Sequence, residues 1–266
     1  MSDTLLKVEH LKKVYESSTG DVEAIGDISF EMRSGELVCI VGPSGCGKTT
    51  LLKCIAGLLR PTQGTVELDG KKVTAPPPRM ALVFQEYGRS LYPWLTVRGN
   101  VELPLKHKKL DRAARDRLID DALLAVGLDH AAKSYPWQLS GGMQQRVAIA
   151  RAVAYQPEVL IMDEPFAAVD AQTRADLEDL VRRLHLDRGM SILFVTHDID
   201  ESVYLGERVI VLSKSPTWVQ EDLAIDLVPE RDQITTRALP RFTELRTHVY
   251  EQIQRAKRGE AVRPTA

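Results

Sequence analysis

Five apolar runs along the chain are continuous rather than alternating: Leu37–Val41, then residues 80–84, 159–162, 192–195 and 209–212. Runs of this length without a polar face fit strands covered on both sides within a parallel sheet. Shorter strand-like stretches precede and flank the first of them, at residues 5–11, 28–33 and 65–68, the last ending in Asp69-Gly70, a strong hairpin dipeptide. Between the later runs, Leu177, Leu180, Val181 and Leu184 recur on one face of an amphipathic helix. The pattern predicts an α/β core of parallel strands, with an antiparallel β-region built largely from the first third of the chain.

A long stretch separates the second apolar run from the third. Within it, Leu118, Ile119, Ala122, Leu123 and Val126 repeat at helical spacing, so residues 87–154 are predicted to form an inserted helical subdomain rather than a loop. Phe242, Leu245, Val249 and Ile253 predict one last helix, with residues 257–266 as a frayed tail. The expected organisation is one domain over residues 1–238, interrupted by the helical insertion, followed by a C-terminal helix and tail over 239–266. Pro76-Pro77-Pro78 reads as a short stiff turn.

Composition narrows the function. The 266 residues carry 35 Lys+Arg against 37 Asp+Glu, a formal charge of −2, which speaks against a nucleic-acid-binding protein. The longest uncharged stretch, residues 134–145, is largely polar, and no run approaches the 18 or so apolar residues that a membrane span needs. The first residues show no basic segment leading into an apolar one, so no secretory signal is expected. Cys39, Cys46 and Cys54 are odd in number and lack CxxC spacing, which argues against a disulfide framework and a zinc site and suggests a reducing compartment.

Gly42-Pro43-Ser44-Gly45-Cys46-Gly47-Lys48-Thr49 matches G-x-x-x-x-G-K-[ST] at every fixed position, with a predicted strand before it and a helical run after it from Thr49 through Thr50 to Ala56. Glycines let the backbone wrap a polyphosphate, and the N–H groups of the loop and helix N-terminus supply positive potential. Lys48 then serves the β- and γ-phosphates, and the Thr49 hydroxyl serves Mg²⁺. Cys46 is either a thiol activated by this positive loop or, more simply, a small filler. The third parallel run ends in Asp163-Glu164: a carboxylate suited to Mg²⁺, followed by one suited to orient or deprotonate an attacking water.

Between these motifs lies Leu139-Ser140-Gly141-Gly142-Met143-Gln144-Gln145-Arg146, and here the chain resembles the ATP-binding subunits of ABC transporters. The resemblance runs from about residue 5 to 212. It implies a P-loop NTPase fold with a parallel-sheet core, an antiparallel β-subdomain and an inserted helical subdomain, binding ATP and Mg²⁺. On this likeness Tyr15 stacks on adenine, Gln85 links the metal site to a membrane partner, Asp170 crosses a dimer interface and His197 contacts the γ-phosphate. Glu164, His197 and Gln85 are the expected catalytic group, and Thr49, Gln85 and Asp163 the metal group. Ser140, Gly141 and Gly142 form a second anion cap at a helix N-terminus, which in the family closes over ATP held by the opposite subunit. Two departures stand out: Met143 replaces the usual glutamine, and Ala167-Ala168-Val169-Asp170 lacks the serine that often opens the interface loop.

The same likeness implies partners: separate transmembrane permease subunits, a second ATPase subunit in a homodimer or heterodimer, and indirectly a periplasmic or extracellular solute-binding protein. The chain would sit on the cytoplasmic face of the membrane. The segment from Glu86 through Tyr92-Pro93-Trp94 is similar to that of importers of nitrate, taurine and aliphatic sulfonates, as is the short stretch after residue 212. The alternatives are an importer of another small solute and, from a different class, a soluble ABC ATPase. Trp94 and Trp137 read either as core anchors or, for Trp94, as part of a partner surface. Lys106-His107-Lys108-Lys109 reads as a solvated loop.

Overall fold

The computed structural model describes residues 4–18, 20–85 and 90–260. Glu86, Tyr87, Gly88 and Arg89, at the start of the expected partner-facing segment, lie outside the described residues, as does most of the expected tail. The N-terminal strands β1 (Thr4–Tyr15) and β2 (Val22–Arg33) pair antiparallel and outrun the predicted stretches at their turn. Next come β3 (Leu37–Val41), α1 (Lys48–Ile55), β4 (Gln63–Leu68) and β5 (Lys71–Lys72), the last two joined across Asp69-Gly70 with Glu67 opposite Lys72. After β6 (Met80–Val83) the insertion supplies α2 (Val97–Glu102), α3 (Arg112–Ala125) and α4 (Gly141–Ala154). The chain continues through β7 (Val159–Asp163), α5 (Ala171–Arg188), β8 (Ser191–Val195), α6 (Ile199–Leu205), β9 (Arg208–Leu212), β10 (Thr217–Ala224) and α7 (Pro240–Arg258).

Among the described residues, ten strands make one sheet in the order β5-β4-β1-β2-β10-β9-β3-β8-β7-β6. From β9 to β6 every pairing is parallel, and every residue of β3, β7 and β8 is buried. Alternate residues of β3 feed opposite faces, as a period of two requires. Leu37, Cys39 and Val41 meet the side of α3, α4, α5 and α7, whereas Val38 and Ile40 meet the side of α1 and the antiparallel strands. The run at 80–84 departs from the doubly buried expectation. As β6 is the sheet edge, Ala81 and Leu82 are only half-buried, and Phe84 lies beyond the strand and exposed.

β10 was not expected. It pairs antiparallel with β9 and parallel with β2, and so welds the antiparallel region to the parallel core. At the C-terminus, Phe242, Leu245, Val249 and Ile253 are all buried in the cluster that holds Leu37 and Val209, so α7 packs on the core itself. Lys257 and Arg258, expected in a frayed tail, close this helix, with Gly259 capping it.

Two surface expectations change. Lys108 is not a solvated loop lysine: its Nζ donates to the Tyr155 carbonyl and lies 4.1 Å from that ring's centre, and burial lowers its pKa. Trp94 and Trp137 are not core anchors, being 69% and 70% exposed. Each pairs with a tyrosine, Tyr92 edge-on to Trp94 and Tyr135 stacked on Trp137. The two pairs belong to neighbouring segments, since the Val97 and Arg98 amides donate to the carbonyls of Ser134 and Ala132.

Candidate active site

The phosphate loop leaves the end of β3 and enters α1 through Gly47, whose φ of +102° is a conformation that side-chain-bearing residues rarely adopt. Cys46 is buried, and that burial pushes its thiol up despite nearby Lys48; this supports the filler reading over an activated thiolate. Lys48, the first helical residue, is 7% exposed. Its Nζ donates to the loop's own carbonyls at Gly42 (3.1 Å) and Pro43 (3.3 Å) and stands 3.7 Å from Glu164 Oε1. A buried ammonium must be paired or hydrogen-bonded, and here the loop and one carboxylate hold it at the cavity wall.

Asp163 ends β7 with its side chain buried. Burial raises its carboxyl above the usual aspartate range, with a hydrogen bond from Thr49 pulling the other way, and Oδ1 has no hydrogen-bond partner among the described residues. An orphaned buried carboxylate oxygen next to a threonine hydroxyl is a hard-oxygen donor set, the kind that Mg²⁺ takes; the residues fit the ion. Glu164 follows in the left-handed region, φ +43°, with its amide donating to Val195 O at 2.8 Å. Such backbone strain in a non-glycine residue costs on the order of 1–3 kcal/mol and collects at functional sites. It lets successive carboxylates of one strand end face different groups.

His197, just beyond β8, has its Nδ1 3.0 Å from Glu164 Oε2. When Nδ1 carries the proton it donates to Glu164, and Nε2 is left as the free ring nitrogen. Ser44, Gly45, Gly47, Lys48, Thr49, Thr50, Glu164 and His197 together line one open cavity of about 480 Å³. Beside it, Tyr15 is 41% exposed at the end of β1, with its hydroxyl 3.3 Å from Thr50 Oγ1 and Lys13 Nζ 5.3 Å from its ring centre.

Other expected site residues lie elsewhere. Gln85 is exposed and does not line this cavity, nor do Ser140, Gly141, Gly142 and Asp170. Ser140 caps α4 by accepting from the Met143 amide at 3.3 Å, and with Gly141 it faces outward. Asp170 caps α5, accepting from the Thr173 amide (3.0 Å) and hydroxyl (2.7 Å), and the amide bond above all holds its carboxyl below the ordinary range. Gly142 is buried against the same threonine: a Cβ there would stand 2.3 Å from Thr173 Cγ2. The signature helix and the Asp170 loop therefore meet at one residue, Thr173, that no motif marked. A second unmarked link is Arg174, whose Nη1 donates to Asp198 at 3.0 Å beside His197.

A phosphate loop on a parallel sheet, facing a strand-end carboxylate pair and a histidine, defines a nucleotide-hydrolysing cassette. The chain belongs to the ABC transporter family, whose profile matches residues 25–167. It is 45% identical to the nitrate import ATP-binding protein NrtD of Synechocystis over 84% of this chain and 83% of that protein. It is 38% identical to the aliphatic sulfonates import ATP-binding protein SsuB of Bacillus thuringiensis, over 94% and 96%. Its fold matches the ATP-binding cassette MJ0796, solved as a dimer in a post-hydrolysis state with ADP and Pi, at TM-score 0.72 and 33% identity over 84% of this chain and 100% of that one. The chain is an ATPase. Among the described residues no helix is long and apolar enough to cross a membrane.

Proposed function

We propose that this chain is the ATP-hydrolysing subunit that powers import of a small solute of the nitrate, taurine or sulfonate kind through separate membrane-spanning permease subunits. The observation that carries the reading is the convergence of Lys48, Thr49, Glu164 and His197 on one polar cavity. In it the loop from Gly42 to Thr50 wraps the phosphates, Lys48 turns from its own loop carbonyls to the γ-phosphate, and Tyr15 offers its exposed face to adenine. Thr49 and Asp163 would hold Mg²⁺, which when bound neutralises phosphate charge; Gln85, exposed outside the cavity, would have to move to reach it. Glu164 takes a proton from the attacking water, and its contact with His197 orients the carboxylate while the free ring nitrogen faces the γ-phosphate.

The outward-facing Ser140 and Gly141, away from their own chain's cavity, support a head-to-tail dimer in which a second copy or a related subunit completes each site. Gly142 and Asp170, joined through Thr173, would then move as one at that interface. The paired exposed aromatics around Trp94 and Trp137 support a permease-docking face on the helical insertion. Such docking puts the chain peripherally on the cytoplasmic face, with a solute-binding protein acting from the other side. The names of the nitrate and aliphatic sulfonate importer relatives support nitrate and sulfonates within that solute class.

The test is reconstitution in liposomes with the permease and binding protein that co-purify with this chain. Hydrolysis stimulated by nitrate, taurine or an alkanesulfonate supports the reading. Stimulation by another small solute alone favours a different importer, and indifference to the permease favours a soluble ATPase.

A further inference from the structure

Residues 225–239, between β10 and α7, form no regular element, yet they are tied down by a dense set of hydrogen bonds to α5 and α6. Arg231 is at their centre. Its Nη1 donates to the carbonyls of Val203 (3.0 Å), Tyr204 (2.5 Å) and Gly206 (2.9 Å), and its Nε donates to Val228 O at 3.2 Å. The last turn of any helix leaves its carbonyls without intrahelical partners, and here one guanidinium nitrogen, Nη1, is shared between two of them and the carbonyl of the residue after the helix. Arg182 of α5 takes the one between, donating to Leu205 O at 3.1 Å, and reaches the strap itself at Pro229 O. Burial and the neighbouring Arg182 push Arg231 down to about 10, which leaves it charged near neutral pH.

The strap continues along α5. Gln233 donates to Ala175 O (3.1 Å) and Asp179 (2.9 Å), and Arg237 donates to Glu178 at 2.6 Å while lying 4.9 Å from the Tyr204 ring centre. α6 is only seven residues long, too short to hold itself in water. Its other end starts at Asp198, which caps the helix by accepting from the Glu201 amide at 3.1 Å and is gripped by Arg174 of α5. The residue before that cap is His197.

We propose that Arg231 is a positioning residue for His197: by fixing the far end of α6 it sets where the loop ahead of that helix holds the imidazole against Glu164. This rests on the reading of His197 and Glu164 given above. Misplacing a reacting group by about 1 Å can cost on the order of a hundredfold in rate, so a modest tilt of α6 is enough to be seen.

The experiment uses the full chain as wild type, Arg231→Met, Arg231→Lys, His197→Ala and the Arg231→Met/His197→Ala double variant. Single-turnover hydrolysis of radiolabelled ATP is measured alongside affinity for a non-hydrolysable ATP analogue. Arg231→Met is expected to slow hydrolysis about tenfold or more, with analogue affinity within about twofold of wild type and Arg231→Lys in between. In the His197→Ala background the same change is expected to alter the rate by less than about twofold, because residues acting as a unit are not additive. A full further loss in that background overturns the proposal, as does a slow His197→Ala beside an unimpaired Arg231→Met. A His197→Ala that hydrolyses at the wild-type rate instead overturns the reading of His197 itself. Should Arg231→Met melt below the assay temperature, Arg231→Lys alone and in the His197→Ala background supplies the same comparison.

Discussion

Gly142 and Thr173 touch so closely that a single added carbon at Gly142 would lie 2.3 Å from the threonine methyl. The contact joins the helix that opens at Ser140 to the loop that ends at Asp170, two segments set 30 residues apart in the chain. Overpacking such a contact costs about 1–3 kcal/mol, so Gly142→Ala should lower the melting temperature by several degrees. Thr173→Ser removes the offending methyl and should restore most of that loss in the double variant. Thermal melts of the four proteins decide it; simple additivity would mean that the two residues do not share this contact.

Glu201 is 4% exposed in the first turn of α6. Burial pushes its carboxyl up to about 8, a bond with Thr196 and the charge of Arg174 oppose the rise, and Glu178 and Asp198 add to it. The folded chain thus keeps a proton that the unfolded chain gives up near 4.5. This group's contribution to stability is whole below that lower value and is lost as pH climbs toward 8. Glu201→Gln removes the titration. Its melting temperature should fall less between about pH 6 and pH 8 than that of the wild type, and equal slopes would show that Glu201 does not hold the proton.

Asp163 carries an opposite pair of consequences. Its buried, unpartnered Oδ1 is a cost to the nucleotide-free fold, since an unpaired buried polar atom costs on the order of 1–3 kcal/mol. Asp163→Asn should therefore melt no lower than wild type without nucleotide, and a few degrees higher if the amide finds a partner. The same variant should bind ATP with little dependence on magnesium, measured by calorimetry with and without chelator. Loss of stability together with intact magnesium dependence would contradict the assignment of this oxygen to the metal.

The parallel core was readable because β3, β7 and β8 are covered on both faces, so nothing polar interrupts them. β10 escaped for the reverse reason: its Gln220 and Glu221 look like surface residues, yet they bond to Gln252 and His248 of α7, partners that no local pattern reveals. The same holds at the site. Lys48 and Thr49 open the helix after β3 and Asp163-Glu164 close β7, so local motifs mark them, whereas His197 just past β8 was marked by the family resemblance. Thr173, Arg174 and Arg231 act through contacts between elements far apart in the chain, and only the folded packing brings them to Gly142, Asp198 and α6.

Glu164, strained just past the end of β7 and 3.0 Å from His197, is placed to act as the base for ATP hydrolysis. Replacing a general base typically costs 10²–10⁴-fold in rate. The most direct measurement is single-turnover hydrolysis by Glu164→Gln alongside its ATP affinity. Affinity close to wild type is expected, with hydrolysis slowed by about a hundredfold or more and an ATP-dependent dimer that outlasts that of the wild type in sedimentation. Hydrolysis at the wild-type rate would contradict it.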